Sequence, residues 1–589
     1  MKKILLSATI ALSLCSLTGC DLDYTNTGAI SPDNVWTDQE MISAFLTDIY
    51  GSSMPGWPIN ANNTDEGMNG PTDMSMYSRG LITAENTGQG LNYGTIDKIN
   101  FFIDHLENVD FLDPATKNAM KGQALFWRAW DYWGRVFTVG GVPLILHEQD
   151  VTDLPSLFVS RNSTSECMTQ IIADLDEAAS LLPDTWTGSD YGRIDKGIVL
   201  AFKGRVLLYC ASPLFNPNHD NNRWQQAYDA NKAAVDFLKA NGKNLYQGDF
   251  ADIWYDERNC EVVMVNQYYY PDHTFGQNAI RPEPLTKDNA NYNQAILPLL
   301  MAFPKKDGTP LTLDVNRLSD PAYNAQFMTD FYTNRDPRFH ATILCPGMDF
   351  TSDRLGTECY WNTWVDNGDG TYKSMSFDQF GVGVGGGYSG YFQRKGVDKS
   401  LLSINDLYNA ETDWIEIRFA EVLMNYGECA NELGKTNEAL DVLYKIRARA
   451  GIEAGTGNYG ITASNTTDIR EVYCNERFIE FAYEGRRFND LRRWKKYDHL
   501  NQIKYRSTLY PVIKNPADIA GFDWNASMFD DNARSLFRFD FIENVDGDSQ
   551  YQFNLDLNHW FYPLSKGTLD RNSKLEQNNE WGGNFNPLD

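Results

Sequence analysis

The segment from Trp414 to Gly451 restricts the fold of this chain more than any other stretch. Leu423, Tyr426, Gly427 and Ala430 recur at helical spacing, Gly434 interrupts the pattern, and Ala439, Leu443 and Ile446 resume it. Intervals of three, one, three, four, five, four and three describe two antiparallel helices joined by a tight turn. Small residues fall where the helices approach most closely, and large ones fill the space between neighbouring hairpins. One such hairpin cannot bury its apolar side, so others must stack against it.

The spacing matches the tetratricopeptide pattern, and weaker copies lie upstream. Ala201, Gly204 and Leu207 give one helix and Ala227 and Ala234 its partner, with an enlarged turn over Pro213–Asn222. Lys117–Phe137 pairs with Ser163–Leu182, and Glu40–Tyr50 with Ile96–Phe111. The expected fold is mainly α: four tetratricopeptide-like helical hairpins as scaffold, wrapped by an irregular loop-rich region with a few short strands. Residues 37–589 form a single domain on this reading, with the scaffold mainly in 37–247 and 413–496 and the loop-rich region mainly in 248–412 and 504–589. Asn475–Lys496 is expected to be one further helix, with Glu484–Arg487 and Arg486–Asp490 in range for ion pairs and Gly485 placed under a passing backbone.

Glu261–Tyr270 is a strand candidate, rich in Val and Tyr. On a strand neighbours alternate between faces, so Tyr268, Tyr269 and Tyr270 are not expected to share one platform. The rest of this half, and Lys504–Asp589, is irregular and aromatic, the composition of functional loops.

The amino terminus reads as an address. Lys2 and Lys3 precede an apolar run, Ile4–Leu17, too short to span a bilayer, and Leu17-Thr18-Gly19-Cys20 resembles a bacterial lipobox. Residues 1–19 are then a cleaved signal peptide, Cys20 is lipidated, and 20–36 is a tether; the competing explanation is an ordinary secretory signal with a chance cysteine. The net charge of −28 argues against nucleic acid and against docking on anionic lipid. The remaining seven cysteines stand singly, with no zinc-like spacing, and an odd count leaves at least one thiol free.

Several catalytic-looking strings carry little. Gly381, Gly383 and Gly386 fit GxGxxG without a βαβ context. Gly434-Lys435-Thr436 is the turn of a hairpin, and Asp366–Gly370 is better explained by a β-turn than by a calcium loop. The seven histidines are isolated. No cofactor and no metal is expected.

The chain is similar to the SusD/RagB family of outer-membrane nutrient-uptake lipoproteins of Bacteroidetes. The resemblance is carried by GQALFWRAWDYWGRVFTVGGVPLI at Gly122–Ile145, RIDKGIVLAFKGRVLLYCASPLFN at Arg193–Asn216, and RWQQAYDANKAAVDF at Arg223–Phe237. It continues through FPKKDGTPL at Phe303–Leu311, DPRFHATIL at Asp336–Leu344, the hairpin from Ile417 to Gly451, and NERFIEFAYEGRRFNDLRRW at Asn475–Trp494. It implies a non-catalytic protein, lipid-anchored in the outer membrane and facing the exterior. Such a protein binds oligosaccharide or polysaccharide and delivers it to a SusC-like TonB-dependent transporter. These motifs belong to the scaffold and do not mark the ligand site.

A sugar offers apolar C–H faces and many hydroxyls, so its site calls for exposed Trp or Tyr with polar groups at the rim. Two loop regions have that composition. One supplies Trp57, Asp65, Asp73, Tyr77 and Arg79; the other supplies Tyr292, Trp361 and Trp364. Trp361 and Trp364 are the foremost stacking candidates because their neighbours are polar; for each ring the structural alternative is loop-packing core. Two other functions remain open: a surface glycoside hydrolase, whose two carboxylates can come from anywhere in a fold, and a tetratricopeptide adaptor without sugar binding.

Overall fold

The computed structural model describes residues 35–59, 61–281, 292–350, 359–374 and 388–589. The leader, Cys20, most of the tether and the glycine string around Gly383 lie outside the described residues.

The principal helices are α1 (Gln39–Ser53), α2 (Gly94–Leu106), α3 (Pro114–Val139), α4 (Thr164–Leu181), α5 (Lys196–Ala211), α6 (Asn221–Ala240), α7 (Pro321–Thr333), α8 (Phe419–Glu432), α9 (Thr436–Arg449), α10 (Thr466–Glu480) and α11 (Arg487–Arg493). Local sequence starts them well. Asp113 accepts from the Ala115 and Thr116 amides with Pro114 at the first helical position, and Ser163 and Glu166 form a reciprocal capping box on α4. The pairs α1/α2, α3/α4, α5/α6 and α8/α9 pack as hairpins, and α8 also packs on α6 and α10. A Cβ on Gly427 would lie 2.1 Å from the Tyr473 hydroxyl and 2.9 Å from the Val442 Cβ, the close approach that the hairpin pattern requires.

Strands longer than two residues are few among the described residues: β1 (Val262–Asn266), β2 (Trp364–Asp366), β3 (Tyr372–Ser374), β4 (Trp414–Arg418), β5 (Thr508–Ile513) and β6 (Phe537–Ile542). β1 and β4 pair antiparallel. The others form a four-stranded sheet in the order β6-β5-β2-β3. The β2–β3 turn is Asp366–Gly370, held by Asp366 accepting from the Gly368 amide and Asp369 from the Thr371 amide, so this string is a turn. The main core lies among the hairpins, and a second lies beneath the sheet around Phe327, Phe331, Phe539 and Trp361.

One expected element is divided. α10 ends at Glu480 and α11 begins at Arg487, and Gly485 between them takes φ +70°. Gly485 therefore provides a left-handed turn, not a mid-helix clearance. The ion pairs expected along one helix do not form either. Glu484 pairs with Arg418 and Lys395, Arg487 with Asp65, Arg486 with Glu416, and Asp490 with Arg477 and Arg493.

These side chains belong to a buried ionic network. Arg418, at the end of β4, reaches Glu261 at 2.6 Å, Glu480 at 2.7 Å and Glu484 at 2.8 Å. Arg338 binds Asp336, Glu476 and Glu480, and Arg449 binds Glu261 and Glu480. Burial alone raises the Glu480 carboxyl, but Arg449, Arg418 and Arg338 together outweigh it and hold it below the usual carboxylate range. Glu421 is likewise held at about 2, where burial is outweighed by Arg205 and Arg486.

Arg418→Ala is expected to lower unfolding free energy by about 3–5 kcal/mol, because three buried carboxylates lose a partner. Urea denaturation of the chain lacking its leader measures this, and a loss under about 1 kcal/mol would contradict the role. Sign follows from the depressed carboxyls: unfolded, they titrate near about 4.3, so the folded state binds fewer protons. The stability they contribute is complete above that value and is lost as pH falls toward about 2. The share of the denaturation midpoint that these carboxyls supply should hold above roughly pH 5 and drop steeply below it, a drop that Arg418→Ala should reduce.

Candidate functional site

Alternation along the strands gives the four-stranded sheet two unlike faces. Phe537 and Phe539 of β6 and Leu509 and Ile513 of β5 turn into the second core. The opposite parity places Arg538 and Asp540 of β6, Tyr510 and Val512 of β5, Trp364 and Asp366 of β2, and Tyr372 of β3 on the outer face. The pairings Tyr510 with Asp540, Val512 with Trp364 and Asp366 with Tyr372 fix this register.

The aromatic rings form one assembly. Tyr510 stacks on Trp364 at 3.7 Å with 9° between planes, and Tyr372 meets Tyr510 edge-on at 5.6 Å. The Tyr510 hydroxyl donates to the Tyr388 carbonyl at 2.8 Å, and the Tyr388 ring is exposed beside Gly70. Tyr510 and Tyr372 are partly exposed. Beside them runs a charged row. Arg538 donates to Asp540 at 2.8 Å and to Asp366 at 2.9 Å, and the Tyr372 hydroxyl donates to Asp540 at 3.1 Å. Burial and then the Asp540 carboxylate push the Tyr372 phenol up to about 12, so it remains a donor at neutral pH. A cleft of about 540 Å³ follows the β6 edge, lined by Tyr372, Arg538, Asp540, Lys514, Ser319 and Asn324.

Neighbouring segments converge on this face. Gly67–Met68 pairs with Gln294–Ala295, and the Ser389 amide donates to the Gln294 side chain. The Thr508 hydroxyl donates to the Ser389 carbonyl. Thr72 donates to Asp546, whose carboxylate is also held by buried Arg506. Asp73 is exposed and accepts from the Asn62 side chain, and half-buried Tyr292 donates its amide to the Ala279 carbonyl, so neither is brought into contact with the rings of the face. Together the arrangement can stack an apolar ring and accept hydroxyl donors along one edge.

The sequence-proposed residues divide accordingly. Trp364 belongs to the site but is only 5% exposed: Tyr510 covers one side, and a Cβ on Gly390 would lie 2.7 Å from its ring. It backs Tyr510 and is not itself the platform. Trp361 is 0% exposed, against Phe522 and Phe537, with its indole N–H donating to the Trp524 carbonyl. Its polar neighbours misled because they are interior too; Thr363, for one, donates to the Pro511 carbonyl at 2.5 Å. Trp57 is buried, stacked on Phe275 and tilted on Trp414. Tyr77 is buried between Tyr562, Phe488 and Tyr497. Asp65 is fully buried in a bidentate pair with Arg487, which overcomes burial to hold its carboxyl well below the usual range. The Arg79 guanidinium lies over the Tyr551 ring at 4.2 Å. Trp361, Trp57, Tyr77 and Asp65 are thus buried and present no surface to a sugar, while Arg79 is partly exposed and lies outside the ring assembly.

Tyr510, Tyr372 and Tyr388 were missed by sequence reasoning. FRFDFI at 537–542 holds the signal, a strict two-residue alternation that announces a strand with one polar face. The Tyr268–Tyr270 expectation also changes. β1 ends at Asn266, and the three lie in a tight hairpin closed by mutual Tyr269–His273 backbone bonds, with Tyr269 and Tyr270 both exposed.

Gly390 takes φ +90° against the Trp364 ring, so Gly390→Ala is expected to cost more than about 1 kcal/mol and to change the near-ultraviolet dichroism of the Trp364–Tyr510 stack. An unchanged spectrum and melting temperature would show that the stack does not depend on this contact.

The comparisons with known proteins agree with the architecture. A family model described as the SusD family matches residues 260–581, and one described as starch-binding, associating with outer membrane, matches residues 74–208. SusD-like protein P2 of Formosa agariphila is 22% identical over 514 residues, covering 83% of this chain and 90% of that protein. The crystal structure of a SusD-like protein from Bacteroides fragilis superposes with a TM-score of 0.70 at 21% identity, covering 93% of this chain and 98% of that one. A laminarin-binding SusD-like protein superposes at 0.56 and 19% identity, covering 92% and 99%.

Proposed function

This chain belongs to the SusD family, and from that membership we propose that it is a surface lipoprotein that captures oligosaccharide or polysaccharide. It passes the glycan uncleaved to a SusC-like TonB-dependent transporter in the outer membrane. The lipobox ending at Cys20 supports export and anchoring. The name of one matching family model, starch-binding and associated with the outer membrane, and the laminarin-binding relative support the ligand class.

The observation that carries the reading is the outer face of the sheet. Tyr510, backed by Trp364, and Tyr372 sit beside Asp540, which accepts the Tyr372 hydroxyl, and exposed Tyr388 borders them through its carbonyl. Rings held by neighbours lose little freedom when a sugar stacks on them.

A glycoside hydrolase is less well supported. Such an enzyme needs one carboxyl that stays protonated and faces the substrate. Asp366 and Asp540 both accept from Arg538. Elsewhere, burial raises Asp413 to about 7, but its side chain accepts from the Tyr268 amide and its own amide donates to Glu257. Those contacts anchor the Tyr268–His273 hairpin.

Tyr510→Ala and Tyr372→Ala should each weaken glycan binding by about 1–3 kcal/mol, read by calorimetry against a panel of neutral oligosaccharides. Equal affinity in both folded variants would remove this face from the binding function. New reducing ends on incubation with glycan would replace the binder by a hydrolase.

A further inference from the structure

We infer that this face is selective for neutral glycans and rejects uronate-containing or sulfated ones, and that Asp366 and Asp540 impose the selectivity. The inference rests on the reading of the face as a glycan site. Recognition of a carboxylate or sulfate needs a cation with donors free to point at it, above all a guanidinium fork. Among the described residues of the outer face, the guanidinium is that of Arg538, and two of its three nitrogens are already engaged. Its Nε donates to Asp540, and one Nη donates to both Asp366 and Asp540. The hydrogen bond to Asp540 is also the first cause of the upward shift of the Arg538 pKa, so the guanidinium stays charged and bound. Lys514, at the edge of the cleft, donates to the Ser535 carbonyl. Arg506, nearby, is buried and paired with Asp546.

What remains for a ligand is acceptor capacity. Asp366 and Asp540 outnumber Arg538 by two to one. Hydroxyls of a neutral sugar can donate to these oxygens. A sulfate or uronate would meet two carboxylates against one guanidinium whose Nε and one Nη already face them, in a chain whose net charge is already −28. The same two aspartates that fix Arg538 thus disfavour anions in two ways: by their own charge and by engaging two of the three guanidinium nitrogens.

The test uses the chain without residues 1–20. Laminarin, pullulan, dextran and xylan are each compared with a carboxymethylated form and with a hydroxyethylated form of equal substitution. The hydroxyethyl form separates bulk from charge. At low ionic strength the bound backbone should be retained in its neutral and hydroxyethylated forms, and its carboxymethylated form should bind at least tenfold more weakly. The gap should narrow in 0.5 M salt. Asp366→Asn with Asp540→Asn keeps side-chain size and frees the guanidinium; in this variant the ratio of neutral to carboxymethylated affinity should fall at least fivefold. Carboxymethylated glycan binding the unsubstituted chain as tightly as neutral glycan would overturn the selectivity while leaving the glycan-binding function intact. Equal weakening by hydroxyethyl and carboxymethyl groups would also overturn it, by assigning the discrimination to bulk. Binding of no glycan in any form would overturn the function and the selectivity together.

Discussion

Arg338, Arg418 and Arg449 converge on the Glu480 carboxylate from three parts of the chain: the segment after α7, the end of β4 and the end of α9. Ions removed from water this completely are costly unless every partner is in place. The geometry is therefore demanding, and it joins the helical hairpins to the loop-rich half. Glu484 extends the network to Lys395, and Glu476 extends it to Arg447. A second group, Arg205 and Arg486 with Glu416 and Glu421, ties α5 to α8 and to the start of the α11 segment. Several motifs that carry the family resemblance supply these ions, DPRFHATIL through Asp336 and Arg338 and NERFIEF through Glu476 and Glu480. Their chemistry is structural, which explains why they say nothing about ligand.

With the two halves held together, the loop-rich half can support a small sheet whose inner face is aromatic core. Phe539 stacks on Tyr332 and meets Phe327 and Phe331 edge-on, while Phe537 stacks on Trp361. That packing keeps β5 and β6 in register, and the register sets Tyr510 opposite Asp540 on the other side. The candidate site is thus the outer side of a core. Its rings are positioned by strands rather than by free loops.

Much of the scaffold was legible from residues. The hairpin spacing from Leu423 to Ile446 is repeated in α8 and α9, and the upstream pairs fall where Ala201, Ala227 and their neighbours suggested. Errors arose where distant contacts override local pattern. Asn475–Lys496 has helical periodicity throughout, yet the turn at Gly485 lets Glu484 and Arg487 face different partners, Arg418 and Asp65. Trp57 and Tyr77 sit among polar loop residues in sequence but are enclosed by Trp414 and Tyr562, hundreds of positions away.

By itself the sequence determined the helical hairpins, their turns and the alternation of β6, because periodicity is a local property that records which side of an element is apolar. Only the tertiary structure decided which aromatic rings meet solvent. Burial of a ring in an irregular segment depends on what packs over it: Phe522 and Phe537 over Trp361, Tyr510 over Trp364. No interval between neighbours in the chain encodes that covering, since the free energy of burial is set by area removed from water, whichever segment removes it.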